Sequence, residues 1–395
     1  MGNFKLVAFI FIAAFLIRAG FVLKADIRPS SDAYVYDKLA VSVSQGKGFS
    51  DESGKPHSFY PPFYPFFLSM IYMIFGHSYK IAGIMQSIIG AFSCVLMYLI
   101  GKKIYSRASG IIVAFIAIVY YPFIKSAGML LTEIFFTFLL LTIVFYLLKI
   151  QEEKASHNYI ILGLLLGVAM LTKSVMLFFP IFIISAFIYL KGKYSLNTVL
   201  KKYLLVLLAL SFPLMPWVVR NYIVYHKFVP TSAGGGFGLY SSYCPANGIF
   251  GLNAAPDDPV VIEGFKISSP TLRSKFFIKK TLDFIINNPK RVIILEVKKF
   301  VYFWAPFDWE IVGGRWFNFI YAALLPFFVL GLFLTSRMYK RFYPILAPII
   351  YFQVMSLVFY GSPRFRLPIE PYIFIVSIVG LIELWKWART RLQAA

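Results

Sequence analysis

Long runs of apolar residues recur along almost the whole length of this 395-residue chain, separated by short polar stretches. A helix that crosses a bilayer needs about 20 predominantly apolar residues, and several runs approach that length. The runs lie at 6–23, 79–100, 109–124, 127–148, 159–172, 175–190, 203–219, 316–335, 343–360 and 369–385. The sequence therefore predicts an all-α polytopic membrane protein, one domain over residues 1–395, with about ten transmembrane helices.

The low content of charged residues excludes other classes of protein. Only 14% of the residues are charged and 59% are hydrophobic, whereas a soluble domain carries roughly 25% charged residues. A soluble enzyme, a disordered chain and a coiled coil are all incompatible with this balance. The net charge of +22 is assigned to basic loops that face anionic membrane lipids, so no nucleic-acid partner is expected.

The distribution of basic residues predicts the orientation in the membrane. Short loops on one side are rich in lysine and arginine, and by the positive-inside rule this side is cytoplasmic, with both chain termini. Residues 25–78 and 221–314 then form the larger segments on the extracytoplasmic side of the plasma (inner) membrane. Each contains a stretch, Pro61–Phe75 and 289–305, that is better suited to a helix along the membrane surface than to a span.

Asp32 is the first candidate for chemistry. It follows the first apolar run, and Asp32, Tyr36, Leu39 and Ala40 fall on one helical stripe. This spacing predicts a short surface helix with Asp32 in its first turn. Asp32 is then either a functional carboxylate or a helix N-cap, a position that Ser and Asp favour.

Glu133 is the second candidate, one or two turns inside the apolar run 127–148. Membrane-buried carboxylates usually mark functional sites, and the charged form needs a cation or a hydrogen-bond donor beside it. The alternative is a packing contact with a Lys or Arg of a neighbouring helix.

An arginine pair breaks the orientation pattern. Arg364 and Arg366 lie in a short loop predicted to be extracytoplasmic, where basic residues are disfavoured. A bound phosphate or acidic headgroup would offset their charge through bidentate contacts. Lys173 and Arg220 are expected on the same side. The four cations predict an anionic-lipid site, although each alone is compatible with an arginine or lysine that anchors the chain at the lipid headgroups.

Several site types are not indicated. There is no P-loop and no Cys or His spacing typical of a metal site. We expect no organic cofactor; a divalent cation is possible.

The order and placement of several stretches resemble the GT-C membrane glycosyltransferases, specifically the protein O-mannosyltransferase and aminoarabinose transferase (ArnT-like) group. The stretches are Ser31–Tyr34, Tyr60–Pro65, Leu131–Glu133, Pro216–Tyr222 and the turn Arg364–Pro368. The resemblance implies a GT-C-like bundle of transmembrane helices with extracytoplasmic interfacial helices.

The same resemblance implies the reaction. A sugar would move, with inversion, from a polyprenyl-phosphate carrier to an acceptor hydroxyl of a lipid, glycan or protein on the extracytoplasmic face. Asp32 matches the acidic residue assigned as general base, and Glu133 matches a second acidic position, which is expected to support the positioning of sugar or acceptor. Some relatives carry a lysine near the carrier phosphate where this chain has Tyr60. The candidate residues for binding the donor phosphate or lipid are Lys173, Arg220, Arg364, Arg366 and Tyr60.

Two other functions share the same carrier lipid. A transporter or flippase of a lipid-linked sugar should place its site at the midplane, within discontinuous spans. A surface-glycan ligase or polymerase should depend on extracytoplasmic arginines more than on Asp32. Acidic and basic groups gathered near one face favour the transferase.

The orientation is directly testable with reporter fusions. We expect green fluorescent protein fused after Ala395 to fluoresce, and alkaline phosphatase inserted after Gly54 to be active, because the two sites lie on opposite sides. The controls exchange the two reporters, with alkaline phosphatase after Ala395 and green fluorescent protein after Gly54. Active phosphatase at the C-terminus would contradict the predicted orientation.

Overall fold

The computed structural model of the protein describes residues 3–152, 155–190, 195–243, 257–307 and 316–394. Parts of the segment 221–314, namely 244–256 and 308–314, therefore lie outside the described residues. Within the described ranges the chain forms α-helices, three short 3-10 helices and no β-strand. The α-helices are α1 (Asn3–Lys24), α2 (Asp32–Ser44), α3 (Phe63–Phe75), α4 (Tyr79–Ile104), α5 (Arg107–Val119), α6 (Tyr121–Ala127), α7 (Glu133–Glu152), α8 (Ser156–Thr172), α9 (Phe179–Leu190), α10 (Leu196–Tyr225), α11 (Gly235–Tyr243), α12 (Pro259–Lys266), α13 (Pro270–Asn287), α14 (Pro289–Trp304), α15 (Phe319–Thr335), α16 (Tyr339–Val358), α17 (Pro363–Arg366) and α18 (Glu370–Ala394).

Six stretches of described helix are long and apolar enough to cross a membrane. They are Phe4–Lys24, Tyr79–Ile104, Glu133–Glu152, Leu196–Tyr225, Arg341–Val358 and Pro363–Gln393. The pair α5 and α6 forms a seventh if it is taken as one span that bends by 55°. The predicted polytopic helical fold is confirmed, but the count of ten spans is not. The reason is length, since α8 and α15 have only 17 residues each and α9 has 12.

Small residues allow neighbouring helices to pack at close range. A Cβ atom on Gly163 or Gly167 of α8 would lie 2.4 Å from an atom of α10. Gly331 of α15 and Gly380 of α18 make the same kind of approach to each other's helices, with backbone oxygens at 2.3 and 2.4 Å from the added Cβ. Larger side chains would therefore push these pairs apart, as expected for helices that pack through small residues in a membrane.

Arg18 lies in the middle of the first span, yet it faces the protein and not lipid. Its side chain is 1% exposed and donates to the carbonyl oxygens of Ala14 (3.1 Å) and Ala117 (2.9 Å). The backbone thus satisfies part of the guanidinium, and the contact joins α1 to α5. This is the usual solution for a charged residue inside a membrane domain.

Helices α2 and α3 pack on each other at one end of the bundle. Tyr36 and Ala40 of α2 share a buried cluster with Tyr64 and Leu68 of α3 and with Leu131, just before α7. The predicted surface helix with Asp32 in its first turn and the predicted helix in Pro61–Phe75 both form. Their packing brings Asp32 next to the beginning of α7.

Candidate functional site

Arg364 lies at the centre of a cluster of charged side chains. Its Nη1 donates to Asp32 Oδ2 at 2.7 Å, and its Nε donates to Glu133 Oε1 at 2.6 Å. Lys173 Nζ reaches the same Glu133 oxygen at 3.2 Å. Four of the residues that the sequence singled out are therefore in direct contact, although they come from α2, α7, the end of α8 and α17.

The side chain of Asp32 bonds to other residues of the site and does not cap its own helix. It is the first residue of α2, and Ser31 occupies the N-cap position with a positive φ of 53° and no side-chain capping bond. The hydrogen bonds of the Asp32 carboxylate go to Arg364 and to the hydroxyl of Tyr60, which donates at 2.9 Å. The carboxylate is 28% exposed. Because Ser31 is the N-cap residue and the Asp32 carboxylate bonds to other side chains, Asp32 is not a simple helix cap.

Glu133 is almost completely buried, with 3% exposure. The sequence analysis placed it one or two turns inside a span; instead it is the first residue of α7. The difference arises because residues 128–132 do not join the helix: a sharp connection after α6 precedes Glu133. Glu133 therefore lies at the end of the span, where Arg364 and Lys173 supply the cations that a buried carboxylate requires.

Lys173 directly follows α8, as its C-cap residue, and its ammonium group lies close to two aromatic rings. Its ammonium group is 5.4 Å from the ring centroids of both Phe136 and Phe365. The side chain is 12% exposed. Cation–π contacts and the Glu133 carboxylate together hold this charge in place.

Tyr60 contacts the candidate base directly. Burial, together with the nearby Asp32 carboxylate, raises the pKa of Tyr60 above its usual range. The hydroxyl consequently stays protonated and acts as a donor to Asp32. Tyr60, which stands where some relatives carry a lysine, thus orients the carboxylate of Asp32.

Two predicted phosphate ligands make other contacts. Arg220 donates to the carbonyl oxygens of Phe49 and His57, both at 2.9 Å. Arg366 is 1% exposed; it donates to Glu370 at 2.8 Å and to the carbonyl oxygens of Phe303 and Ala305 at 2.6 and 2.7 Å. The bonds of both side chains thus go to backbone carbonyls and to Glu370, and they hold neighbouring segments in place.

Sequence reasoning missed a second buried carboxylate, Asp37. It is 2% exposed and accepts hydrogen bonds from Tyr72 (2.8 Å) and Tyr79 (3.2 Å), and His77 Nε2 lies 2.8 Å from it. These partners come from α3, the following loop and α4. The signal in the sequence was a second acidic residue in the helix that begins at Asp32, off the stripe of Asp32, Tyr36, Leu39 and Ala40. Asp37 fixes the orientation of α2 and so the position of Asp32.

A cavity adjoins the charged cluster on the side of α6. Glu133, Arg364, Arg366 and Glu370 line one wall, and the other is formed largely by residues of α6, among them Tyr121 and Lys125. Lys125 was not among the candidate residues.

No group of three or more His, Cys, Asp or Glu side chains that would hold a metal ion occurs in the described ranges. Asp32 and Glu133, the two carboxylates of the cluster, both bind Arg364.

The chain was compared with protein-family models, curated proteins and solved structures. A family model described as dolichyl-phosphate-mannose-protein mannosyltransferase matches residues 60–219. No curated protein matches the sequence.

Three solved structures illustrate the structural likeness. The apo oligosaccharyltransferase of Archaeoglobus fulgidus is similar over 100% of this chain and 52% of its own, with 14% identity and a TM-score of 0.59. The oligosaccharyltransferase AglB of that organism, in complex with an inhibitory peptide and a dolichol-phosphate, is similar over 99% and 52%, with 13% identity and a TM-score of 0.58. Apo ArnT from Cupriavidus metallidurans is similar over 94% and 76%, with 12% identity and a TM-score of 0.46.

This chain spans about half the length of the archaeal structures that it matches. The likeness over the entire chain shows that it has the fold of these archaeal oligosaccharyltransferases. Together with the family match over residues 60–219, it bears out the resemblance to the protein O-mannosyltransferase group that the sequence indicated.

The ion pairs of Arg364 predict a large effect on stability. We expect Arg364→Leu to lower the free energy of unfolding by about 3–5 kcal/mol, because it removes a partner from a buried carboxylate. Thermal or denaturant unfolding in detergent measures the change. The double variant Arg364→Leu with Glu133→Gln should recover part of the loss.

A matched control is Arg28→Leu, whose ion pair with Asp26 is 84% and 74% exposed. It should leave the unfolding transition unchanged. Equal effects of the two arginine substitutions would contradict a special role for the buried cluster.

The ring of His57 predicts a pH dependence of stability. His57 stacks on Tyr60 at 5.8 Å, and burial lowers its pKa to about 4 from the ordinary 6.5. Between these values the unfolded chain binds a proton that the folded chain does not. Stability should therefore fall as the pH drops from 6.5 towards 4.

His57→Phe keeps a ring against Tyr60 but removes the titratable imidazole. The stability of this variant should therefore fall less steeply as the pH drops from 6.5 towards 4. Unfolding midpoints measured across the interval provide the comparison. The exposed His157→Phe should behave as the wild type does; an unchanged slope in the His57 variant would refute the assignment.

Proposed function

We propose that this protein transfers a sugar from a polyprenyl-phosphate-linked donor to an acceptor hydroxyl, with Asp32 as the general base. The observation that carries the proposal is the cluster in which Arg364 bonds both Asp32 and Glu133. The transfer inverts the anomeric centre, and the acceptor is a lipid, a glycan or a protein.

The comparisons support a lipid-linked donor in general terms. The matched family is described by a mannosyltransferase that uses dolichyl-phosphate-mannose. One structural neighbour is an oligosaccharyltransferase in complex with a dolichol-phosphate. A site built at the end of apolar spans suits a substrate whose tail stays in the bilayer while its sugar reaches the charged cluster.

The reaction needs one proton acceptor and stabilisation of one leaving group. The Asp32 carboxylate accepts the proton of the acceptor hydroxyl as the oxygen forms its bond to the anomeric carbon. The bond from that carbon to the phosphate oxygen breaks, and its electron pair leaves on polyprenyl phosphate. Attack opposite the phosphate inverts the sugar.

Arg364 couples donor binding to activation of the base. Its Nη1 donates to Asp32 Oδ2. The donor phosphate competes for this guanidinium, because bidentate contacts to phosphate are strong. Asp32 Oδ2 is then released towards the acceptor hydroxyl, while Tyr60 continues to orient the other carboxylate oxygen.

Glu133 and Lys173 form the support of the phosphate site. Glu133 holds both cations in position, and Lys173 adds positive charge where negative charge develops on the leaving group. We assign Arg220 and Arg366 an indirect part: their bonds to backbone carbonyls shape the loops around the cluster.

We propose further that this chemistry occurs on the extracytoplasmic side of the plasma membrane. The support is the charge distribution of the short loops. Asp32, at the end of the first span opposite to the cytoplasmic N-terminus, would then face the outer leaflet.

Substitution of the base tests the proposal. We expect Asp32→Asn to reduce turnover by about 10²–10⁴-fold, the range typical of general-base catalysis, and to retain binding of polyprenyl phosphate. The assay incubates purified protein with a panel of polyprenyl-phosphate sugars and acceptors and measures released polyprenyl phosphate.

Asp26→Asn is the matched control, because Asp26 is an exposed carboxylate six residues away. It should retain full activity. If Asp32→Asn were as active as the wild type, Asp32 would not be the base. If the wild type and Asp32→Asn both bound the carrier lipid and neither consumed it with any acceptor, transport of the lipid-linked sugar would be the better explanation.

A further inference from the structure

Gln86 lies inside an apolar helix that is long enough to cross a membrane, yet its side chain is a polar amide. It belongs to α4 and is 0% exposed. A buried amide is costly unless its donors and its acceptor are hydrogen-bonded. A polar residue at this depth therefore needs partners in neighbouring elements, and these partners indicate its role.

Both polar atoms of the Gln86 amide are hydrogen-bonded. Nε2 donates to the carbonyl oxygens of Ala127 at 3.1 Å and Met129 at 2.9 Å, and Oε1 accepts from the hydroxyl of Tyr64 at 2.8 Å. Carbonyl oxygens can only accept, so these partners fix which side of the amide carries the nitrogen. One side chain of α4 thus joins α3 to the connection between α6 and α7.

The two carbonyl groups belong to backbone that leaves the helix. Ala127 is the last residue of α6, and residues 128–132 form no helix before α7 begins at Glu133. Carbonyls freed by such a break must find donors inside the protein when they lie at membrane depth. Gln86 supplies two N–H donors, so it holds the path of the connection and the point at which Glu133 enters the site.

Glycines on the same face of α4 allow this close approach. A Cβ atom on Gly83 would lie 3.2 Å from the carbonyl oxygen of Ala127, and one on Gly90 would lie 2.7 Å from Cδ1 of Ile134. Gly83, Gln86 and Gly90 follow one another at spacings of three and four, so they share one face of the helix. This face of α4 therefore supports the connection from α6 to the first turn of α7.

The third bond of the amide leads towards Asp32. The ring of Tyr64, fully buried in α3, packs edge to face on Tyr36 with centroids 5.3 Å apart, and Tyr36 packs in the same way on Tyr60 at 5.2 Å. Tyr60 donates to the Asp32 carboxylate. Because side chains in a close-packed interior transmit displacements to their neighbours, the orientation of Tyr64 limits that of Tyr60.

We propose that Gln86 is a positioning residue that sets the placement of Asp32 relative to Glu133 without touching substrate. The inference rests on the proposed function and adds to it a residue that the sequence did not single out. The amide nitrogen holds the connection that leads into Glu133, and the amide oxygen holds the row of tyrosines that ends at Asp32. Catalysis depends on such placement, since a displacement of about 1 Å can cost about 10²-fold in rate.

Replacement of the amide tests the proposal. Gln86→Met has a side chain of similar length that cannot form the three hydrogen bonds. We expect its turnover number to fall by about 10- to 100-fold, because the two carboxylates lose their alignment. Its KM for the donor should change by less than about 3-fold, since the cations of the cluster remain. The assay uses the polyprenyl-phosphate sugar that the wild type consumes, at a temperature well below each unfolding midpoint.

Two matched controls lie in the same helix. Ser87 is as buried as Gln86, but its hydroxyl donates within α4, to the carbonyl oxygen of Gly83 at 2.8 Å, so Ser87→Ala should keep full turnover. Tyr64→Phe removes one of the three bonds and should lower turnover by up to about 10-fold. Tyr98→Phe should have no effect, because the Tyr98 hydroxyl has no hydrogen-bond partner within the described part of the chain.

A double variant separates positioning from stability. If Gln86 acts through the base, Gln86→Met should cost much less turnover in a protein that already carries Asp32→Asn. A purely structural role would lower the unfolding midpoint and leave the fold-change in turnover the same in both backgrounds. Losses that multiply would therefore overturn the inference.

The outcomes also distinguish the inference from the proposed function. If the wild type releases polyprenyl phosphate and Gln86→Met does so at the same rate, the positioning role is wrong while the proposed function stands. If Gln86→Met does not accumulate as folded protein, the comparison of Tyr64→Phe with Tyr98→Phe decides, and equal rates in these two variants would overturn the inference. If the wild type consumes no donor, both fail.

Discussion

The ion pairs of Arg364 connect parts of the chain that are far apart in sequence. Asp32 is 332 residues away from Arg364, and Glu133 is 231 residues away. A carboxylate as buried as Glu133 is costly unless cations and hydrogen bonds compensate it. The positions of α2, α7, the end of α8 and α17 are therefore mutually dependent. The charges that could carry catalysis are also those that hold this end of the bundle together.

Helix packing and one break create the space around these charges. Glycine contacts bring α8 against α10 and α15 against α18 at close range. The bend at Tyr120 then opens a cavity next to Arg364. In a membrane such a break is tolerated where the freed backbone is surrounded by protein or lines a cavity.

Arginines elsewhere in the structure bind backbone carbonyls and so join separate elements. Arg18, Arg220 and Arg366 all donate to carbonyl oxygens of other parts of the chain. Asp37 performs the converse task, since it accepts bonds from side chains of α3 and α4. The residues around the site thus belong to two groups. One group meets at Arg364, and the other keeps the loops and helices that present it in position.

The amino-acid sequence is enough to predict the helical membrane fold, the short helix that begins at Asp32 and all four charged residues of the cluster. These follow from local apolar runs and from ionisable residues that have no place in lipid, both of which are visible without tertiary contacts. Tertiary contacts were needed to show that Arg364, and not Arg366 or Arg220, joins the two carboxylates. They also show where α7 begins and that Lys125 lines a cavity. Such choices depend on distances between helices and on a bend at a single residue, which local sequence patterns do not encode.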